Sequence, residues 1–361
     1  MLTLLIADDS ALMRKYLSEI FKAEGDFNVL VARNGIEALA MAKSSAPDVI
    51  TLDVNMPEMD GITCLSRIMV ECPKPVVMVS SLTGQGAEVT LQALALGAVD
   101  FIGKPDGTVS LHIDKISAAL VAKVRAAAKA KLRQSQGLLE RVKFGTRTAG
   151  GLLPSGMSKS MPGGPSKPIG PILGVVLIGV STGGPSALDA IVPRLPGDFA
   201  WPIVIAQHMP QSFTGVFARR MDGISHLEVT EVAQPTPLRA GTVYVARGDA
   251  DLLLGKRNGA LTAIPTPGSA KHLWHPSVER LVASALEHVD PHRLIGILLT
   301  GMGDDGAAAM TELRSRGGRT IAESEETAVV WGMPGELVKR GGASLVLPLE
   351  RIVAQMRLWV G

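Results

Sequence analysis

The feature that most constrains this chain is a rhythm in its first third. Short apolar runs, LTLLIAD, NVLVA, VITLDV, PVVMVSS and AVDFIGKP, recur with helix-like text such as SALMRKYLSEIFKAE and GIEALAMAKSS between them. Runs that are apolar throughout, rather than alternating, suit strands covered on both faces, and crossover helices on a parallel sheet supply that cover. From about Ala126 to Pro171 the rhythm stops: a basic helix tail gives way to Gly, Ser and Pro without hydrophobic periodicity, the text of a flexible linker. It resumes in VVLIGV, PIVIAQH, TVYVAR and LIGILLTG. At 361 residues the chain exceeds one ordinary core. The expectation is two doubly wound α/β domains, residues 1–125 and 172–361, joined by a linker over 126–171.

Overall charge narrows the function. Lys and Arg number 36 against 34 Asp and Glu, a net charge of +2, so bulk electrostatics suggests neither a nucleic acid nor an anionic membrane as partner. Cys64 and Cys72 make no metal-binding pattern, and no stretch reads as a signal peptide or an apolar span of transmembrane length. Direct membrane insertion is not expected, and a reducing cytoplasm is.

In open parallel sheets the working residues lie beyond the carboxyl ends of the strands. In the first domain those ends carry Asp8 and Asp9, then Asp53, then Ser80 and Ser81, then Lys104 followed by Pro105. Any one of them alone reads as a helix cap or a solvated loop residue. Together they form a different kind of set. Three convergent carboxylates repel one another unless a cation sits between them, and an oxygen-rich site suits Mg²⁺, while a Lys and a hydroxyl nearby can hold a phosphoryl group.

In the second domain the stretch Gly179-Val-Ser181-Thr-Gly183 satisfies G-x-S-x-G between a strand and a helix, the context of a nucleophile elbow. The same letters also suit an anion-binding helix start, though without the Lys of a P-loop, or a plain N-cap at Ser181. A nucleophile needs a base and an acid to orient it. Of seven histidines only His208, in PIVIAQHMP, directly follows an apolar strand; His272 and His275, in KHLWHPS, read as exposed loop imidazoles. An acid at a third strand end stands in LIGILLTGMGDDGA, at Asp304 or Asp305, unless that turn merely caps a helix. The order Ser, His, Asp fits ordinary α/β-hydrolases badly, since those run Ser, acid, His.

Two resemblances follow from these strings. DDSALMRKYL, LDVNMPEMDGI, PVVMVSS and GAVDFIGKP make residues 1–125 similar to the receiver domain of bacterial response regulators. IGVSTGG, QHMP, HPSVERL, VYVARGD, LLTGMGDDGAAAM and WGMP make about 172–358 resemble the catalytic domain of the chemotaxis protein-glutamate methylesterases, the CheB family, whose layout of receiver, linker and esterase the whole chain matches. The first resemblance implies a flavodoxin-like fold with Asp53 as phosphoacceptor, Asp9, Asp53 and the Asn55 carbonyl on Mg²⁺, and Asp8 acting mainly through water. It also puts Ser80 and Lys104 on the phosphoryl oxygens and Phe101 where the family has its switch aromatic, a place an ordinary buried strand residue would fill equally well.

The second implies a Rossmann-like domain in which Ser181, His208 and Asp305 hydrolyse glutamate γ-methyl esters on the cytoplasmic helices of methylated chemoreceptors, releasing methanol with no cofactor. Phosphorylation by a histidine kinase would activate it, and glutamine deamidation is chemically allowed. Two positions depart from the family: Asp304 where Asn is common and Arg247 where Pro is, the latter at the rim of the expected substrate cleft. A receiver-controlled binding module that catalyses nothing is the alternative.

Overall fold

The computed structural model describes residues 1–80, 83–104, 113–132 and 172–361. Ser81, Pro105, His112 and most of the expected linker lie outside them.

The first sheet holds β1 (Leu2–Ala7), β2 (Phe27–Ala32), β3 (Val49–Asp53), β4 (Val76–Ser80) and β5 (Asp100–Gly103) in the order β2-β1-β3-β4-β5, every pair parallel. This is the doubly wound order of flavodoxin-like domains. The helices between are α1 (Ala11–Ala23), α2 (Gly35–Ser44), α3 (Gly61–Glu71), α4 (Gly84–Ala95) and α5 (Ile113–Ala128). Their starts are set locally: Ser10, Asn34, Asp60 and Thr83 each accept a backbone N–H of the first turn on a side-chain oxygen. The central strands β3 and β4 are buried along their whole length, as uniformly apolar runs require.

The second sheet is larger. Its strands are β6 (Val175–Val180), β7 (Ile203–Gln207), β8 (Glu228–Val232), β10 (Thr242–Ala246), β13 (Leu294–Leu298), β14 (Arg319–Glu323) and β15 (Leu345–Leu347), in the order β15-β14-β13-β6-β7-β10-β8, again parallel throughout. The chain starts in the middle at β6, goes to β7 on one side and later to β13 on the other. The ends of β13, β6 and β7 therefore flank the topological switch point, where open α/β sheets form their clefts. The covering helices are α6 (Gly184–Ile191), α7 (Gln211–Ile224), α8 (Val278–His288), α9 (Ala307–Ser315), α10 (Met333–Lys339) and α11 (Leu349–Val360).

The sequence reading expected parallel strands alone, and the structure adds a small antiparallel sheet of β9 (Thr236–Pro237), β11 (Ala250–Arg257) and β12 (Ala260–Pro267). Its hairpin closes on Asn258 (φ 49°) and Gly259 (φ 78°), the left-handed pair that a two-residue turn demands.

The two domains pack together. α4 lies against α6 and α7, and the Phe101 ring sits 4.3 Å from that of Phe213. After α5, Lys131 donates its backbone N–H to the Val329 carbonyl and its ammonium to Glu325, 3.2 Å away.

Candidate functional site

In the first domain the strand ends bring the expected groups together. Asp8, Asp9 and Asp53 each offer a carboxylate oxygen within 4.8 Å of the others; Asp8 and Asp53 are buried and Asp9 is exposed. Lys104 Nζ lies 2.8 Å from Asp53 Oδ2 and 3.0 Å from Asp8 Oδ2. Burial pushes the Asp53 carboxyl above its usual range; Lys104 opposes this and the neighbouring Asp8 charge adds to it. Burial alone would lower the Lys104 ammonium, but its bonds to Asp53 and Asp8 outweigh that and raise it. Carboxylate oxygens this crowded, two of them from buried side chains, fit a hard divalent cation. Ser80 is buried at the end of β4, its hydroxyl donating to the Gly86 carbonyl at 3.3 Å. Phe101 is 3% exposed, the value of a core residue, and its packing on Phe213 ties it to the other domain.

In the second domain β6, β7 and β13 deliver Ser181, His208 and Asp305 to one edge. Ser181 donates its N–H to the Thr300 carbonyl at 3.0 Å, and His208 donates its own to the Val180 carbonyl at 3.1 Å. The reading of Ser181 as a helix cap fails: the N-cap of α6 is Gly183, left-handed at φ 77°, and no side chain caps the helix. Among the described residues the Ser181 hydroxyl makes no hydrogen bond, which leaves it free for a substrate. His208 Nε2 is 2.8 Å from Asp305 Oδ2, while the buried Nδ1 has no hydrogen-bond partner among the described residues. A neutral imidazole so held carries its proton on Nε2, toward the carboxylate. Nδ1 is then the lone pair available to a serine proton.

Asp305 is the acid that meets His208, and Asp304 points away to Arg340 at 3.4 Å on the surface. Nor does Asp305 cap the helix that follows it, α9, whose N-cap is Gly306 (φ 86°) with no side-chain cap. Asp305 sits instead at the start of α8, accepting from Ser277 Oγ (3.0 Å) and from the N–H groups of Val278 (2.7 Å) and Glu279 (3.0 Å). Burial would raise its carboxyl, yet the His208 hydrogen bond and charge and these backbone donors hold it below the usual carboxylate range.

Several supporting residues escaped the sequence reading. Gln207 is 2% exposed, and its Nε2 donates to the carbonyls of both Ser181 (3.0 Å) and His208 (3.1 Å), tying the two strand ends together. Gly184 leaves room for it, since a Cβ there would come within 1.9 Å of Gln207 Oε1. Glu323, fully buried, accepts from Thr300 N–H, and Thr300 Oγ1 donates to the Thr182 carbonyl. His275 was expected as an exposed loop imidazole; instead its Nδ1 lies 2.8 Å from the buried Asp251. The available signal was polarity inside apolar strands: Gln207 and Asp251 interrupt such runs.

The loop after Ser181 also meets the first domain. Thr182 Oγ1 donates to Asp100 Oδ2 at 2.6 Å, and Gly183 N–H donates to the Val99 carbonyl at 3.2 Å.

The CheB methylesterase family model matches residues 176–356, and the response regulator receiver domain model matches 4–113. A protein-glutamate methylesterase/protein-glutamine glutaminase of Rhodospirillum rubrum is 57% identical over 100% of this chain and 96% of its own. This chain belongs to the CheB methylesterase family. A relative of the same description from Rhodopseudomonas palustris is 55% identical over 99% of this chain and 98% of its own. Among solved structures, the Thermotoga maritima CheB methylesterase catalytic domain shares 39% identity over 51% of this chain and 96% of that one, with a TM-score of 0.49. The departure at Asp304 thus falls on an exposed side chain outside the acid–base pair, and that at Arg247 on a half-buried one just after β10.

Proposed function

We propose that this chain is a receiver-controlled protein-glutamate methylesterase, and a protein-glutamine glutaminase at the same site, serving chemotaxis in the cytoplasm. In this reading residues 1–125 receive the phosphoryl group, 126–171 link, and 172–361 carry out hydrolysis. The supporting observation is the meeting of a hydroxyl, an imidazole and a carboxylate at the ends of three adjacent strands. The Ser181 oxygen attacks the γ-carbonyl of the methylated glutamate on a chemoreceptor helix, and His208 Nδ1 takes its proton. The resulting imidazolium is balanced by Asp305 and returns that proton to the departing methoxide, giving methanol. Water, deprotonated by the same nitrogen, then releases glutamate. With a glutamine side chain the same steps release ammonia.

Backbone N–H groups at the start of α6 are candidate oxyanion donors. That of Gly184 turns back onto the Ser181 carbonyl at 2.8 Å, which leaves Gly183 as the better placed of the two glycines once Val99 withdraws. Among the described residues no helix is long and apolar enough to cross a membrane.

Methanol release from methylated receptor, together with covalent labelling by a serine-reactive phosphonate, tests this reading. Release at an appreciable rate and one adduct on Ser181 are expected. Neither would be seen if the second domain only binds.

In the receiver, Asp8, Asp9, Asp53 and the Asn55 carbonyl would hold Mg²⁺, which supplies charge neutralisation for phosphoryl transfer from a histidine kinase, with Asp53 as acceptor and Ser80 and Lys104 on the phosphoryl oxygens. EDTA is accordingly expected to stop phosphorylation of Asp53 and to leave basal methanol release unchanged within about twofold, because the second domain's site is a hydroxyl, an imidazole and one carboxylate. Loss of basal hydrolysis on chelation would reveal a metal in the second domain.

A further inference from the structure

One aromatic contact at the base belongs to none of the roles assigned above. The indole of Trp274 lies parallel to the His208 imidazole, ring centroids 5.6 Å apart and planes 12° from coplanar. Trp274 is half-buried, with its ring nitrogen toward the Gly303 turn: a Cβ on Gly303 would stand 3.8 Å from Nε1. An imidazole fixed only at Nε2 can still swing about that bond, and each degree of swing moves Nδ1. A flat neighbour across its face removes that freedom.

The segment carrying Trp274 is itself held at both ends. On one side Asp251, 1% exposed, accepts from the N–H of Ser269 (3.1 Å), from His275 Nδ1 (2.8 Å), from the N–H of Ser277 (2.8 Å) and from Arg280. On the other, Ser277, Val278 and Glu279 all donate to Asp305. The stretch from Trp274 to Glu279 therefore touches both members of the acid–base pair, the imidazole through the indole and the carboxylate through three hydrogen bonds. Four bonds to one buried carboxylate are far more than a surface loop needs, and they stop this stretch drifting away from the cleft.

We propose that Trp274 is a positioning residue for the catalytic base, holding the His208 ring in the orientation that presents Nδ1 to Ser181. This rests on the esterase reading of the same site. Its mark is an effect on the chemical step rather than on receptor binding, because the contact is with the imidazole.

The test uses the full chain with a phosphodonor present. Trp274→Ala and Trp274→Phe are compared with the parent in methanol release and in the rate of Ser181 labelling by a small phosphonate, after thermal melts confirm folding. Trp274→Ala is expected to lose about tenfold in kcat, with KM within about twofold, and to label more slowly by a similar factor. Trp274→Phe, which keeps a flat face, is expected to recover most of both. A rise in KM with kcat and labelling unchanged would overturn the proposal and make Trp274 a wall of the receptor site. Equal labelling of parent and Ala variant would also overturn it. If Trp274→Ala does not fold, the Phe variant decides: parent-like kcat and labelling support the proposal, and a tenfold loss in both overturns it. A parent protein that does not label at all would instead sink the esterase reading itself.

Discussion

Asp305→Asn is expected to lower methanol release by about 10⁴-fold, and Asp304→Asn by less than about tenfold. The first figure is that of the corresponding change in the serine-protease template, where an amide in place of the carboxylate favours the wrong imidazole tautomer. The geometry here makes the same demand. Asp305 accepts from the His208 ring, from the Ser277 hydroxyl and from two backbone N–H groups, so each of its oxygens has donors only. An amide keeps the shape but turns an NH₂ group toward some of those donors. If the NH₂ faces His208, it donates to Nε2 and drives the ring proton onto Nδ1, the atom that must accept from Ser181. If it takes the place of Oδ1 it meets the Glu279 N–H and the Ser277 hydroxyl and strains the start of α8. Asp304 touches Arg340 across the surface and nothing in the acid–base pair, and an exposed ion pair contributes little. Both variants are compared as folded full-length proteins. A dead Asp304→Asn would move the assignment by one residue, and activity in both would remove the acid from the mechanism.

The residues assigned to chemistry could be picked out in the sequence because a parallel sheet places strand-end groups by rule. Once β6, β7 and β13 are recognised as apolar runs, the polar residues just beyond them must share an edge: Ser181 and His208 follow their strands directly, and the GDDG turn comes after β13 just past Thr300. What could not be read were contacts set by how loops return. Nothing local in KHLWHPS says that Trp274 will lie over His208, 66 positions earlier, because that depends on an excursion through the β11–β12 hairpin and its anchor at Asp251. The hairpin did announce itself, in the Asn258-Gly259 pair, but period-two alternation in β11 and β12 is blurred where the sheet packs on α8. Contacts between the two domains were equally hidden. Thr182 and Asp100 are ordinary letters in their own strings, and only docking makes them partners.

That docking leads to the other large effect: phosphorylation of Asp53 is expected to raise esterase activity by up to roughly 100-fold. The first domain meets the nucleophile loop directly, with the Asp100 carboxylate on Thr182 Oγ1, the Val99 carbonyl on Gly183 N–H, and Phe101 against Phe213. A carbonyl on Gly183 N–H occupies a donor that a substrate oxyanion would want. At about 1 kcal/mol for each of three such contacts, docking is favoured by about 3 kcal/mol, which is the 100-fold. The link to the phosphorylation site is short. β5 has Asp100 at one end and is followed at the other by Lys104, which bonds Asp53 and Asp8. A phosphoryl group on Asp53 offers Lys104 new oxygens, and any shift is carried along four strand residues to the Thr182 contact. Asp100→Asn, which turns a charge-assisted bond into a neutral one, is expected to raise unphosphorylated activity by about tenfold and to shrink the gain from a phosphodonor by the same factor. Lys123 supplies the control. It lies 3.0 Å from Asp100 Oδ1, on the oxygen that Thr182 does not use, and also donates to the Phe101 carbonyl, so Lys123→Met removes an ion pair at the same carboxylate while leaving the Thr182 bond itself in place. Its basal activity should stay within about twofold of the parent. Methanol release by the three proteins, each with and without acetyl phosphate, separates the outcomes. If Asp100→Asn behaves like the parent in both conditions, the Thr182 contact is not what restrains the enzyme; if Lys123→Met rises as far as Asp100→Asn, the restraint lies in the stability of the first domain rather than in its grip on the nucleophile loop.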